Sequence, residues 1–143
     1  MTRLAESTLG QLLPLHAHRR PPDIRRVSQE PVFGRALYEM LGRARIVLNG
    51  AIDMAGEDRG NMRCFEAMGC GALLVSDAGR YPEGMVDAQT MRTYASAAEA
   101  IAVIDEALAA PNRLRTMARE GHGTVVQRYA KAGQWHDFKQ LVG

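Results

Sequence analysis

The 143-residue chain has only two cysteines, few aromatic side chains and no long uninterrupted apolar run. Cys64 and Cys70 match neither a zinc-ligand spacing nor a Cys-x-x-Cys pair, which argues against a structural metal site and a dithiol redox site. Two thiols in an apolar helix and turn are typical of reduced core residues in a cytoplasmic protein. Without a long apolar run near the N-terminus, we expect neither a signal peptide nor a membrane-spanning helix.

The chain also lacks a strong charge of either sign. Its 18 basic and 16 acidic side chains give a net charge of +2, so no general electrostatic attraction to nucleic acid is expected. The one basic cluster, "HAHRRPPDIRR", is interrupted by prolines. It indicates a solvated surface segment, with at most a peripheral contact to an acidic membrane or another polyanion. All four histidines are scattered, and we expect them on the surface.

The order of apolar segments predicts one α/β domain over residues 1–143, with an N-terminal segment, 1–30, that is not assigned to the sheet. "RIVLN" and "ALLVSD" are near-continuous apolar runs, typical of parallel strands covered on both faces. The helix between them completes a βαβ unit. "MRTYAS" is a candidate third strand, whereas "RRPPDIRRVSQEP" is predicted to be irregular because proline disfavours a helix at the preceding residue.

Helices are predicted on both sides of this unit. "FGRALYEMLGRA" forms one that ends near Gly42, and a capping box of Ser96 and Glu99 starts the first of three C-terminal helices. The predicted inward faces are Phe33, Leu37, Met40 and Leu41; Ala97, Ile101, Ile104 and Leu108; and Leu114, Met117, Ala118 and Val125.

The last helix carries Trp135, Phe138 and Leu141 as an apolar stripe. Either the stripe belongs to the domain's own core, or it is left exposed, lies over the chain's own sheet or is buried against a second copy. Of these last three, repacking and self-association are favoured over exposure. Contiguous exposed apolar patches are uncommon on stable monomers.

The stretch "GNMRCFEAMGCGALLVSD" carries the candidate site. On a helical wheel, Arg63 and Glu66 lie opposite the apolar face, close to Gly60 and Asn61 at the helix start. Backbone N–H groups and the helix dipole favour an anion there. Gly60 would let a phosphate approach the backbone, Arg63 could pair with it, and a carboxylate further along could accept ribose hydroxyls.

A simpler interpretation of the same residues stays open. Arg63 and Glu66 are i,i+3 neighbours that can form a solvated ion pair of a few tenths of a kcal/mol. Gly60 can simply start the helix, and Gly69 and Gly71 can simply end it. The spacing matches neither the dinucleotide fingerprint nor a P-loop.

From about Pro31 onward, roughly four fifths of the chain resembles the donor-binding C-terminal domain of group-1-like, GT-B-fold glycosyltransferases. Five sequence segments occur in the order and spacing of the family: "VFGRALYEML", "ARIVLN", "GNMRCFEAMGCGALLVSD", "TYASAAEA" and "RTMAREG". The resemblance implies a Rossmann-like parallel sheet with flanking helices, which forms one half of a GT-B fold. It also implies that the first strand or two of that half are missing here.

The resemblance further implies a nucleotide-diphosphate sugar as donor substrate, with no cofactor and no metal. Glu66 would hold the ribose hydroxyls, and the helix start at Asn61, Met62 and Arg63, with Gly60, would hold the diphosphate. Asp58 stands where many relatives carry a sugar-contacting glutamate; Glu57 or a purely exposed loop are the alternatives at that place. No catalytic residue is assigned, because activation of the acceptor involves the other domain.

Two functions therefore remain in view. The first is a glycosyltransferase donor domain that serves an acceptor such as a polysaccharide, a lipid or a protein. The second is a non-catalytic nucleotide-binding or protein-interaction module derived from such an enzyme, in which the site can be vestigial. The chain has room for only one of the two GT-B domains, so the N-terminal domain would be a partner that it lacks.

Overall fold

The computed structural model describes residues 21–50 and 56–143. The chain divides into two units, Met1–Val32 and Phe33–Gly143. The described part of the first unit contains helix α1, Pro22–Val27, so the prediction of an irregular connection there is wrong. Proline is well suited to the first helical turn because the N–H that it lacks would have no helical partner there. The predicted helix in "RLAESTLGQLLPLH", with His16 and His18, lies outside the described residues.

The second unit is a three-layer α/β arrangement around a parallel sheet of order β1-β2-β3. This confirms the predicted Rossmann-like fold, including the third strand. Its elements are α2 Gly34–Arg43, β1 Ile46–Leu48, α3 Met62–Gly69, β2 Leu73–Asp77, β3 Arg92–Tyr94, α4 Ala97–Ala109, α5 Pro111–Arg128 and α6 Lys131–Val142.

Strand β2 is the centre of the core and is covered on both faces. Leu74 packs with the buried α3 residues Cys64, Ala67 and Met68. Leu73 and Val75 point to the other face, where they meet a cluster that includes Val103 of α4 and Leu114, Met117 and Ala118 of α5. Side chains alternate across a strand, so covering both faces requires the continuous apolar run from which the strand was predicted.

Two helices differ from the predicted inward faces. In α4 the buried positions are Ala100 and Val103, whereas Ile101 is exposed, as are Ala97 and Leu108. The segment "AAEAIAVIDEALA" is apolar around most of its circumference, so packing against the sheet and α5, rather than periodicity, sets its rotation. In α2 only Leu41 is buried, and Phe33 and Met40 are exposed. The inward face predicted for α5 is confirmed, since Leu114, Met117 and Ala118 are buried and Val125 packs on the core.

Helix α3 ends in a Schellman motif that leads directly into β2. The N–H of Gly71 donates to Met68 O at 2.9 Å and that of Ala72 to Ala67 O at 3.1 Å. Gly71 has a φ of 81°, which favours glycine. The prediction that Gly71 terminates the helix is confirmed. At the start of α4 the Ser96 half of the predicted capping box is confirmed, because the Glu99 N–H donates to Ser96 Oγ at 3.2 Å. The Glu99 side chain accepts from the N–H of Ala95, at 2.7 Å, one residue before the position that a capping box uses.

Helix α6 has no buried residue. Trp135, Phe138 and Leu141 are 57%, 49% and 84% exposed, and the rings of Trp135 and Phe138 stack with centroids 5.6 Å apart. The stripe therefore does not belong to the described core, which rules out that alternative, and it is exposed in the single chain.

Gly121 and Gly123 of α5 provide a matched pair for testing how tightly α5 packs. A Cβ at Gly121 would lie 2.5 Å from Thr90 O, whereas one at Gly123 would meet nothing within 4 Å. Gly121→Ala should lower the free energy of unfolding by about 1–3 kcal/mol through overpacking. Gly123→Ala should raise it by about 0.5–1 kcal/mol through helix propensity. Urea denaturation measures both, and equal stabilities would contradict this packing.

Exposure of the α6 stripe predicts self-association. The wild-type protein should sediment as a dimer or larger species, because association removes the apolar patch from water. Trp135→Ser/Phe138→Ser should sediment as a folded monomer. Two folded monomers with equal melting temperatures would show that the stripe has no such role.

Candidate functional site

The carboxyl ends of β1 and β2 meet the amino end of α3 at one edge of the sheet. Asn49 follows β1, Asp77 ends β2, and Asn61 immediately precedes α3. In open parallel α/β sheets, ligands bind beside the carboxyl ends of the strands. The predicted site residues thus lie where the fold itself favours a ligand.

Asn61 connects the start of α3 to the end of β1. Its Nδ2 lies 3.4 Å from Asn49 Oδ1 and 3.5 Å from Gly50 O, both long contacts. Cys64 Sγ lies 3.7 Å from Asn61 Oδ1, but no backbone N–H of the first turn donates to the Asn61 side chain. The Asn61 side chain therefore does not satisfy the first N–H groups of α3. Met62, the first helical residue, is 75% exposed. The start of α3 is thus held in place and open to solvent.

The fold by itself requires glycine at position 60. Its φ is 132°, and a Cβ there would lie 2.8 Å from Pro82 Cγ. Both facts require glycine whether or not a phosphate approaches. The presence of glycine at position 60 therefore does not show whether it serves phosphate binding or only the start of the helix.

Arg63 and Glu66 form the ion pair that the sequence left open, with Nη1 and Oε2 3.0 Å apart. The Glu66 side chain is 11% exposed and that of Arg63 37% exposed. Tyr38 of α2 also approaches, with its hydroxyl 3.4 Å from Glu66 Oε1, which is long for an O–H···O bond. A ligand hydroxyl could replace that weak contact at little cost. Sequence reasoning missed Tyr38 because α2 and α3 are distant in the chain.

Asp58 pairs with Arg80 instead of with helix α3. Its Oδ1 lies 2.6 Å from Arg80 Nε, and both side chains are largely exposed. The hydrogen bond and the charge of Arg80 lower the pKa of Asp58 below its usual value. Asp58 is thus an ionised carboxylate on the loop before α3, and its role toward a donor sugar remains a prediction.

A hydrogen-bond network that sequence reasoning missed joins the three strand ends. Asn49 Nδ2 donates to Ser76 Oγ at 3.0 Å, and the Tyr94 hydroxyl donates to Asn49 O at 2.6 Å. Ser76 is fully buried, and burial raises the pKa of Tyr94, which keeps the phenol protonated as a donor. The signal that could have found these residues is their position at or just beyond the carboxyl end of a strand.

Arg59 and Asp77 fix the loop before α3 to the end of β2. Arg59 Nε lies 2.6 Å from Asp77 Oδ2, and Arg59 Nη1 donates to Gly56 O at 2.6 Å. The Tyr81 hydroxyl donates to Asp77 O at 2.6 Å, and burial raises the pKa of Tyr81 to about 12. These contacts use Arg59 for positioning, whereas Arg63 is more exposed to an incoming ligand.

Thiol and metal chemistry find no support at this edge. Cys64 is fully buried, and burial followed by the charge of Asp77 raises the pKa of its thiol, so the reactive thiolate is disfavoured. Within residues 21–50 and 56–143, no three His, Cys, Asp or Glu side chains converge in a way that could hold a metal ion. His122 and His136 are exposed, as expected. Among the helices of the same ranges, none combines the length and apolarity needed to cross a bilayer.

Comparison with known proteins shows which family the chain belongs to. The model of the glycosyl transferase-like family matches residues 8–140, which is nearly the whole chain. The chain belongs to this glycosyl transferase-like family. The resemblance noted in the sequence is thereby confirmed, and a transferase is supported at this coarse level.

Solved structures agree on the fold. The chain is similar to the C-terminal domain of a glycosyl transferase group 1 family protein, LpcC, from Francisella tularensis, with a TM-score of 0.58 and 18% sequence identity. The similarity covers 71% of this chain and 52% of that one. The chain thus spans about half the length of its structural neighbour. No curated protein sequence matches the chain.

The hydrogen bond from Tyr94 to Asn49 is predicted to hold β3 against the end of β1. Tyr94→Phe should lower the free energy of unfolding by about 0.5–1.5 kcal/mol, because the Asn49 carbonyl loses its donor. Tyr38→Phe is the control, since its 3.4 Å contact is long and Tyr38 is exposed; it should change stability by less than about 0.5 kcal/mol. Urea denaturation compares the two, and equal losses would contradict the assigned role of Tyr94.

Proposed function

We propose that this family member is a donor-binding glycosyltransferase domain that binds a nucleotide-diphosphate sugar at the start of α3. The observation that carries the proposal is the Arg63–Glu66 pair of α3, which lies beside the carboxyl ends of β1 and β2 with Arg63 partly exposed and Glu66 largely buried. A cation and a carboxylate one helical turn apart match the two polar parts of the ligand, its diphosphate and its ribose hydroxyls.

Arg63 and the start of α3 would bind the diphosphate. The first N–H groups of α3 receive no side-chain cap, and the positive end of the helix dipole favours an anion. During transfer, negative charge develops on the leaving diphosphate, and these fixed donors would stabilise it without a bound metal. The exposed Met62 and the Gly60 backbone border the same place.

Glu66 would accept hydrogen bonds from the ribose hydroxyls. A carboxylate has room for several donors, so the bond from Arg63 leaves acceptor capacity on Glu66. The side chain is mostly buried beside Tyr38, which orients it before a ligand arrives. Asp58, with Glu57 as the alternative, would face the sugar from the preceding loop.

In a complete enzyme the sugar would pass to an acceptor such as a polysaccharide, a lipid or a protein, bound by a second domain. The second candidate function is a non-catalytic module that keeps the nucleotide site and associates through α6. The exposed stripe of Trp135, Phe138 and Leu141 favours this candidate for the isolated chain. Sugar transfer, measured with and without a supplied acceptor domain, separates the two.

Calorimetric titration with UDP, GDP and the corresponding nucleosides tests the site itself. Glu66→Ala should weaken nucleoside and nucleoside diphosphate alike, by about 1.5–3 kcal/mol, because both carry the ribose. Arg63→Ala should weaken only the diphosphates, and added salt should do the same, since an exposed ionic contact is screened. Both variants should remain folded, with a moderate loss of melting temperature, because each leaves a buried or partly buried charge without its partner.

Glu39→Ala is the control for the loss of one carboxylate near the site, since Glu39 is exposed on α2 and pairs with Arg35. It should bind both ligands like the wild type. If Glu66→Ala also binds like the wild type, Glu66 serves only Arg63 and the ribose assignment is wrong. An equal loss of nucleoside and diphosphate in Arg63→Ala would indicate a packing effect instead of a phosphate contact.

A further inference from the structure

A second concave surface lies at the opposite end of the sheet from the candidate donor site. It is an open cavity of about 530 Å³ between the end of α2, the residues that precede β1 and β2, and one side of α5. Arg43 and Arg45 line it from the α2–β1 turn, and Arg115 and Arg119 line it from α5. We call it the arginine groove.

The arginine groove concentrates positively charged residues. Among the described residues, its lining contains those four arginines and His122 but no Asp or Glu. Within the part of the chain that the structure describes, the side chains of Arg43, Arg45 and Arg119 form no ion pair or hydrogen bond. By contrast, Arg92, Arg113 and Arg128 of the same unit each pair with an acidic side chain.

This arrangement costs stability in the absence of an anion. Arg115 and Arg119 are i,i+4 neighbours on α5, where like charges repel, and Arg43 and Arg45 line the same cavity. A local excess of cations is therefore better explained by a ligand that neutralises it than by folding. The guanidinium fork matches phosphate oxygens in geometry as well as in charge.

The remaining residues that line the arginine groove indicate which class of ligand it can bind. The floor is formed by small or buried residues, including Gly71, Leu114 and Ala118, and no aromatic side chain lines the cavity. Bases of single-stranded nucleic acids and nucleotides are held largely by stacking on aromatic rings, which this groove cannot offer. Its volume lies within the usual range for a small-molecule site, so recognition would rest on the phosphate groups of a compact ligand.

The arginine groove and the donor site cannot be two parts of one small-ligand site. Gly71 borders the groove just before β2, and Asp77 lies at the other end of that strand. At about 3.3 Å per residue, the two places are roughly 20 Å apart. The strand and the buried core lie between them.

We propose that the arginine groove binds a ligand carrying two or more phosphate groups, at a site independent of the donor site. The phosphates can belong to a soluble compound or to the headgroup of an anionic lipid, since both present the same chemistry to the arginines.

The test uses inorganic tripolyphosphate as the probe in calorimetric titrations at low salt. Arg115→Ala/Arg119→Ala removes two charges from the groove and should weaken binding about tenfold or more. The matched control, Arg113→Ala/Arg128→Ala, removes the same charge from the same helix outside the groove lining and should bind within about twofold of the wild type. Thermal melts of both variants, followed by circular dichroism, establish that each is folded.

Two further arms locate the ligand and identify its source. The start of α3 can also take phosphate, so tripolyphosphate is titrated into Arg63→Ala as well, and the binding that remains in this variant should be lost when Arg115→Ala/Arg119→Ala is added. The groove variant should keep the ribose-dependent binding of UDP and GDP that Glu66→Ala weakens, which separates this proposal from the donor site. Cosedimentation with phosphatidylcholine vesicles containing cardiolipin, whose headgroup carries two phosphates, would assign a lipid headgroup if it is lost in the groove variant. Tripolyphosphate binding without cosedimentation would assign a soluble phosphate. The proposal is wrong if tripolyphosphate does not bind, if both double variants lose affinity equally, or if Arg63→Ala abolishes binding.

Discussion

The fold depends on the burial of β2 on both faces. Leu73, Leu74 and Val75 are essentially inaccessible to water, and each side of the strand is covered by a different set of helices. A parallel strand in that position cannot be solvated from either side, so α3 must cross one face while α4 and α5 cover the other. Once β2 is fixed, the start of α3 and the ends of β1 and β3 have little freedom in where they lie.

The candidate site follows from that constraint because its polar groups lie where β2 and its neighbouring strands end. Ser76 remains inside and is satisfied by Asn49, while Asp77 is satisfied by Arg59 at the boundary with solvent. These contacts hold the loop before α3 and leave Met62 and part of Arg63 accessible to solvent, next to the largely buried Glu66. The protein thus separates side chains that position the loop from side chains that could contact a ligand.

The two ends of the sheet differ in their electrostatics. At the carboxyl end, cations and carboxylates alternate: Arg59 with Asp77, Arg63 with Glu66, and Arg80 with Asp58. A ligand there would exchange existing ion pairs for new ones, which suits a molecule with both anionic and hydroxyl groups. At the amino end the arginines of the groove have no such acidic partners among the lining residues, which suits a purely anionic ligand.

The sequence by itself determined the local features of this protein. Continuous apolar runs predicted β1 and β2, the Ser96–Glu99 box predicted the start of α4, and Gly71 predicted the end of α3, because each of these signals acts within a few residues. The segments that match the glycosyltransferase family, in the family's order, predicted the fold and indicated Arg63 and Glu66 as candidate ligand contacts. The prolines near α1 led to the wrong prediction of an irregular segment, because Pro22 occupies the first helical position, where proline is tolerated.

Only the tertiary structure decided which side of α4 is buried, because that helix is apolar around most of its surface and its rotation depends on what it packs against. It also decided that Tyr38 reaches Glu66, that Tyr94 reaches Asn49 and that Arg80 pairs with Asp58. The arginine groove brings together Arg43 and Arg45 with Arg115 and Arg119 of α5, which lie about 70 positions further along the chain. Such contacts are set by crossover of the chain around β2, and local spacing in the sequence carries no information about them.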